Sequence, residues 1–192
     1  AFSYTRQPEN EFYISYSFDS IERYKIQDFE FAIQAELNHI PDEIKEMPCR
    51  TTNCTNTQNK LKSAKQIYLI RNLPHVLFIF IPRALFNKKE MRAVLPPKIE
   101  LTLNAYPDNY INNGRQIECK YQLVGLICHL GDRPHSGHYL CIAKRHPFDW
   151  YELNDKQFKK IDESRIFTDE VLRNVVLFMY ELTYKKQSRI IL

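Results

Sequence analysis

The sequence predicts an α+β fold built on one curved, mostly antiparallel β-sheet with a few short helices. Seven segments carry that expectation: QIYLIR, VLFIFIP, KIELTL, KYQLVGLICHL, HYLCIAK, DWYELN and VVLFMYELTY are rich in β-branched and aromatic residues. Pro, Gly, Asn or Asp separates most of them, as turns between strands require. With 44% hydrophobic and 26% charged residues over 192 positions, the composition is that of a globular chain long enough to bury a core.

Taken in order, residues 12 to 18 (FYISYSF) alternate as a strand does, and IERYKIQDFEFAIQAEL follows with Ile26, Phe29 and Ala32 at helical spacing. Asp19 and Ser20 are its candidate caps. From 41 to 60, Pro41, Pro48 and the polar run TTNCTNTQN predict a loop. The seven strands then follow, interrupted by IDESRIFTDEVLRN, which reads as a turn and a short helix. No repeat, low-complexity tract or long linker divides the chain.

Charge and cysteine usage narrow the class. The net charge of +4 conceals an acidic start, since residues 1 to 48 carry ten Asp or Glu against four Lys or Arg. Such a segment suits a basic partner surface, and a solvated acidic face accounts for it equally well. The basic remainder lacks a repeated aromatic-basic ladder, which argues against nucleic acid. Five cysteines, at 49, 54, 119, 128 and 141, are too few and odd in number for a disulfide framework, so a reducing compartment, cytoplasmic or nuclear, is expected. The apolar runs are half the length of a membrane helix, so no span and no membrane partner are expected. The polar opening AFSYTRQPENE carries no signal-peptide pattern, and starting at Ala it is expected to lie inside a longer protein.

The chemistry concentrates in RPHSGHYLCIAKRHPFDWYELND, residues 133 to 155. Only four glycines occur in the chain, and two of them, Gly131 and Gly137, bracket a polar loop between apolar strands, where each is expected to supply a backbone angle or a close approach that a Cβ would block. Beyond the loop, HYLCIAK and DWYELN are joined by RHPF, an antiparallel hairpin. A turn centred near His146 places His138 opposite Asn154, close enough for the carboxamide to orient the imidazole. A His held by an amide or carboxylate is half of a nucleophile, base and orienter arrangement. A lone structural His at a strand start is the competing reading.

Several motifs occur in order: Leu73-Pro74-x-x-Leu77 leading to Arg83, Leu95-Pro96-x-x-Ile99-x-Leu101, Tyr121-x-Leu123-Val124, His129-x-Gly131, Gly137-His138-Tyr139, Trp150-x-x-Leu153-Asn154-Asp155 and Val176-Leu177-Phe178-x-Tyr180. From about Phe12 to Leu182 the chain resembles the ubiquitin-specific proteases, papain-like cysteine peptidases that remove ubiquitin. The resemblance implies a fingers-like region over about 1–66 and a palm with the histidine box over 67–192, with the thumb missing. It implies that His138 is the general base, Asn154 the residue that orients it and Asp155 an adjacent acidic support. Trp150 is expected to pack within the hairpin, His129 to lie outside the triad in a structural hydrogen bond, and His135 to be solvated in a loop beside the ubiquitin tail. The implied partner is ubiquitin or a ubiquitinated protein.

The chain departs from the family pattern at the nucleophile. No Asn-Thr-Cys-Tyr box occurs; Thr52-Asn53-Cys54-Thr55 is the nearest imitation, and it lies downstream of where the box belongs. Cys49 and Cys54 match one arm of a zinc-binding finger tip, but a closed zinc site needs four ligands, so no cofactor is expected. Ala84 follows Arg83 where the family has an aromatic residue, with Phe86 as a substitute. The expectation is therefore the C-terminal part of a thiol-dependent deubiquitinase, inactive on its own. The alternative is a catalytically dead pseudo-protease that binds ubiquitin or another protein.

Overall fold

The computed structural model describes residues 13–18, 21–22, 25–38, 44–48, 60–64, 69–83, 94–107, 115–133, 136–145 and 148–189. In chain order the elements are β1 (Tyr13–Ser15), α1 (Phe29–Leu37), β2 (Ile44–Pro48), β3 (Lys60–Ala64), β4 (Val76–Phe80), β5 (Glu100–Ala105), β6 (Arg115–Arg133), β7 (Ser136–Arg145), β8 (Asp149–Asn154) and β9 (Gln157–Ile161). A 3-10 turn (Glu163–Phe167), α2 (Asp169–Asn174) and β10 (Val175–Arg189) complete the series. The predicted sheet is present. Its strands run β1-β4-β10-β6-β7-β8-β9, all antiparallel except β1 with β4, while β2 and β3 pair apart from it. Among the described residues no helix is long and apolar enough to cross a membrane.

β6 is the spine of this sheet. One edge pairs with β10 along nearly its whole length; the other pairs with β5 over residues 117–122 and with β7 from Gly125 onward. Between those two partners the pairing slips, because Gly125 faces Met179 and Leu123 faces Tyr180, so Val124 is extra. A bulge of this kind reverses which side chains point inward. Cys119, Tyr121 and Leu123 are buried before it, and Leu126 and Cys128 after it.

The buried face of the sheet carries Leu77, Ile79, Leu101, Leu103, Ile142, Trp150, Phe178 and Tyr180. Phe29 and Ile33 of α1 and Val171 and Leu172 of α2 join them in one apolar cluster. Helix α1 begins later than its apolar spacing suggested: Lys25 takes a positive φ of 52°, which breaks the helical path, and Asp28 caps the new start by accepting from the Phe31 amide at 3.0 Å. Asp19 and Ser20, the expected caps, lie outside the described residues. One turn further, Glu30 accepts the Thr102 amide at 2.7 Å, and Gln34 both accepts from the Asn104 amide at 2.6 Å and donates to its carbonyl. Lys98 closes the same contact on Asp28 at 2.9 Å.

Three further expectations are corrected. Residues 44–48, read as loop, form β2, whose partner β3 was also read without a strand. Of QIYLIR, read as a strand, residues 66–68 lie outside the described residues and 69–71 carry no strand. And β9 was missed, because QFKKI has no run of β-branched residues and is an outer strand with exposed lysines, as sheet edges tend to be.

Arg83 follows β4 into the interior, where its guanidinium donates to the carbonyls of Leu172 and Val175 and ties α2 to the sheet. Burial pushes its pKa down to about 10.

Candidate active site

The candidate site lies where β6, β7 and β8 come together at one end of the sheet. Its first requirement is the close approach of β6 and β7 at the two glycines. A Cβ on Gly131 would lie 2.6 Å from the Ser136 carbonyl oxygen, and one on Gly137 would lie 2.5 Å from His129 Nε2 and 2.6 Å from the Leu130 oxygen. No larger residue fits without parting the strands. His129 thus packs beneath Gly137, and its ring sits 4.9 Å from that of Tyr139, its partner across the ladder.

β7 then carries His138 on the same face as the buried Leu140 and Ile142, while Tyr139 and Cys141 point to the other face. The β7–β8 hairpin pairs Cys141 with Leu153 and Arg145 with Asp149. This register is two residues away from the one the expected turn implied, so Asn154 belongs opposite Leu140 and not opposite His138. A shift of two preserves the face, so the two side chains remain diagonal neighbours and still meet. His138 Nε2 lies 2.5 Å from Asn154 Oδ1. A carboxamide oxygen can only accept, so Nε2 carries the proton and Nδ1 is left with its lone pair.

Asp155 follows in the tight turn between β8 and β9, with a φ of 51° that Asp tolerates better than most residues. Its carboxylate reaches to 3.9 Å from the same Nε2, and its side chain is largely exposed where that of His138 is half-buried. All three residues singled out in the sequence are therefore brought together. Trp150, two residues upstream of Glu152 on β8, is buried and donates from Nε1 to Glu163 at 3.1 Å. His135, Cys49 and Cys54 lie outside the described residues.

Sequence reasoning did not single out the polar contacts that hold β8 from outside. Arg165 in the 3-10 turn meets Glu152 at 3.4 Å through Nε and Glu170 at 2.9 Å through Nη1. The available signal was the alternation Trp150, Glu152, Asn154 on one face of a strand. Nor did it mark the apolar groove on the opposite face, lined by Phe80, Ile127, Tyr139, Cys141, Leu153 and Leu177.

The thiols are poorly placed for a nucleophile in this set. Cys119 and Cys128 are buried, and burial pushes both upward, Cys128 to about 12. Cys141 faces away from His138, and desolvation raises it too. Among the described residues no group of three or more His, Cys, Asp or Glu could hold a metal ion.

A glycine-bracketed strand entry thus leads to a half-buried His whose ring is oriented by a hydrogen-bonded carboxamide. The chain belongs to the ubiquitin carboxyl-terminal hydrolase family, whose model matches residues 2–180. It is 24% identical over 128 residues to ubiquitin carboxyl-terminal hydrolase 23 of Arabidopsis thaliana, covering 67% of this chain and 14% of that protein. To ubiquitin carboxyl-terminal hydrolase 9 of Saccharomyces cerevisiae it is 27% identical over 107 residues, covering 55% of this chain and 14% of the relative. The fold matches the SAGA Ubp8/Sgf11/Sus1/Sgf73 DUB module bound to ubiquitin aldehyde with a TM-score of 0.54 at 18% identity, over 81% of this chain and 34% of that one. The chain thus spans a minor part of the relatives it matches.

Proposed function

We propose that these residues form the base-bearing part of a thiol-dependent deubiquitinase that hydrolyses the bond after the C-terminal glycine of ubiquitin. The observation that carries the reading is the 2.5 Å contact between His138 Nε2 and Asn154 Oδ1, which leaves Nδ1 as the basic atom. Residues 67–192 supply the palm and about 1–66 the fingers-like region. The nucleophile is a cysteine outside these residues, a reading supported by the burial of Cys119 and Cys128 and the orientation of Cys141.

In this mechanism Nδ1 of His138 takes the thiol proton, and the thiolate attacks the carbonyl carbon of the scissile bond. The imidazolium so formed is stabilised by Asn154 Oδ1 and the Asp155 carboxylate. His138 then returns the proton to the leaving amine as the C–N bond breaks. Water, deprotonated by the same nitrogen, hydrolyses the thioester and regenerates the thiol.

The test uses the full-length polypeptide containing these residues, with hydrolysis of a fluorogenic ubiquitin C-terminal amide and a ubiquitin-binding titration. His138→Ala is expected to lower kcat by roughly 10²- to 10⁴-fold with ubiquitin affinity nearly unchanged, and Asn154→Ala by less. A His138→Ala variant that turns over like the wild type refutes the assignment. A wild-type protein that binds ubiquitin without cleaving the amide supports the pseudo-protease reading instead.

A further inference from the structure

The inward face of β8 presents three successive side chains, Trp150, Glu152 and Asn154, and each is held by a polar contact from outside the strand, two from the 3-10 turn and one from β7. Trp150 Nε1 donates to Glu163 at 3.1 Å, Arg165 meets Glu152 at 3.4 Å, and Asn154 meets His138 at 2.5 Å. Glu163 and Arg165 both belong to the 3-10 turn, whose start is fixed by Asp162 accepting the Ser164 amide at 2.8 Å. The turn therefore grips β8 at two consecutive inward positions, and the next inward position is the one that orients the base.

β8 needs such a grip. Its ladder to β7 ends at Cys141 and Leu153, so Asn154 lies one residue beyond the last pair with β7. On its other side stands only β9, an outer strand, joined through the strained turn at Asp155. Asn154 is paired with Gln157 of β9 but lies past the last pair with β7, and a side-chain hydrogen bond tolerates only a few tenths of an ångström of drift. Arg165 and Glu152 are both about three-quarters buried, which strengthens the pair relative to a surface one.

We infer that Arg165, acting through Glu152, is a positioning residue for the His138–Asn154 pair. The 3-10 turn is thus part of the site's support, acting through β8. This inference rests on the catalytic reading for its significance, but its test does not use catalysis.

The experiment is a long-range ¹H–¹⁵N correlation spectrum of the chain with ¹⁵N-labelled histidine, recorded over a rising pH series to the plateau at which the ring shifts stop changing. Wild type is expected to show His138 as a single tautomer protonated on Nε2. Arg165→Met and Glu152→Ala are each expected to lose that single-tautomer pattern while the amide spectrum remains that of a folded chain. Glu152→Ala guards against simple misfolding, since it leaves Arg165 bonded to Glu170 and to Thr168 Oγ1. Glu170→Gln, which removes the charge of the other carboxylate beside Arg165, is expected to leave His138 as in the wild type.

In an Asn154→Ala background the Arg165→Met change is expected to have no further effect on His138, because the route through Asn154 is gone. The inference is overturned if both single variants keep the wild-type tautomer, or if Arg165→Met shifts it equally with and without Asn154. A wild-type His138 protonated on Nδ1 overturns the site geometry itself. That result is distinct from a failed clamp with an intact Asn154 contact.

Discussion

Replacing Gly137 by Ala tests how tightly the two strands must approach. The added methyl would lie 2.5 Å from His129 Nε2, 3.0 Å from His129 Cε1 and 2.6 Å from the Leu130 carbonyl oxygen. Ordinary contact begins near 3.5 Å, so the intrusion is roughly an ångström on two sides. The imidazole of His129 can swing aside, at the expense of its packing against Tyr139. The Leu130 oxygen is backbone, in the residue paired with His138, and yields only if β7 parts from β6. Overpacking of this kind costs about 1–3 kcal/mol. For a chain of this size each kcal/mol lowers Tm by about 2–4 °C, so the melting temperature should fall by roughly 2–12 °C. Because the displaced backbone carries His138, the loss of its Nε2-protonated tautomer should accompany the fall. Gly125→Ala is the matched control, since its methyl would meet the Ile142 oxygen and the flexible Met179 Cε at 3.4 Å. Thermal melting followed by circular dichroism, with histidine-labelled spectra of each variant, decides the matter. A Gly137→Ala protein that melts within about 1 °C of wild type and keeps the His138 tautomer refutes the reasoning.

Two other outcomes follow from ionisable groups. The Phe31 amide and then the Lys98 hydrogen bond hold the Asp28 carboxyl below its usual value, so its contribution to stability is present above the unfolded pKa and is lost as pH falls through the folded one. Asp28→Asn should flatten the acid side of the stability curve measured by urea unfolding, and an unchanged slope there would contradict the cap. Cys119 and Cys128, buried and pushed upward, should resist iodoacetamide in the native chain at neutral pH and react once it is unfolded; mass spectrometry reads the sites, and native labelling of Cys128 would be the contrary result.

The strands that sequence made legible are those that bury one face. VLFIFIP and DWYELN became β4 and β8 with little change of bounds, because alternation and flanking turn residues agree there. KYQLVGLICHL was recognised as a strand but not as two inward patterns joined by a bulge, since reversing the alternation at Val124 turns it into a near-continuous apolar run. The start of α1 was misjudged because apolar spacing extends upstream through Ile26, and only the backbone angle at Lys25 interrupts it. The meeting of His138, Asn154 and Asp155 was legible from motif order. Their pairing survived an error of register because that error was even. The contact of Arg165 with Glu152 was not legible, because it depends on where a turn further along the chain comes to rest.

The contact between α1 and β5 bears on solubility. Strand β5 lies outside the main run of strands, with β6 on one side. A bare strand edge of this kind is a template on which another chain can add. Here the outward amides of Thr102 and Asn104 are already taken, by two side chains one helical turn apart. Glu30 and Gln34 act as a counterfeit strand that ends the sheet without extending it. The protection lasts only while the helix stays seated. A chain whose α1 has frayed would offer neighbouring molecules an adhesive edge before the remainder of the fold had loosened, and self-association would then begin from a nearly native state.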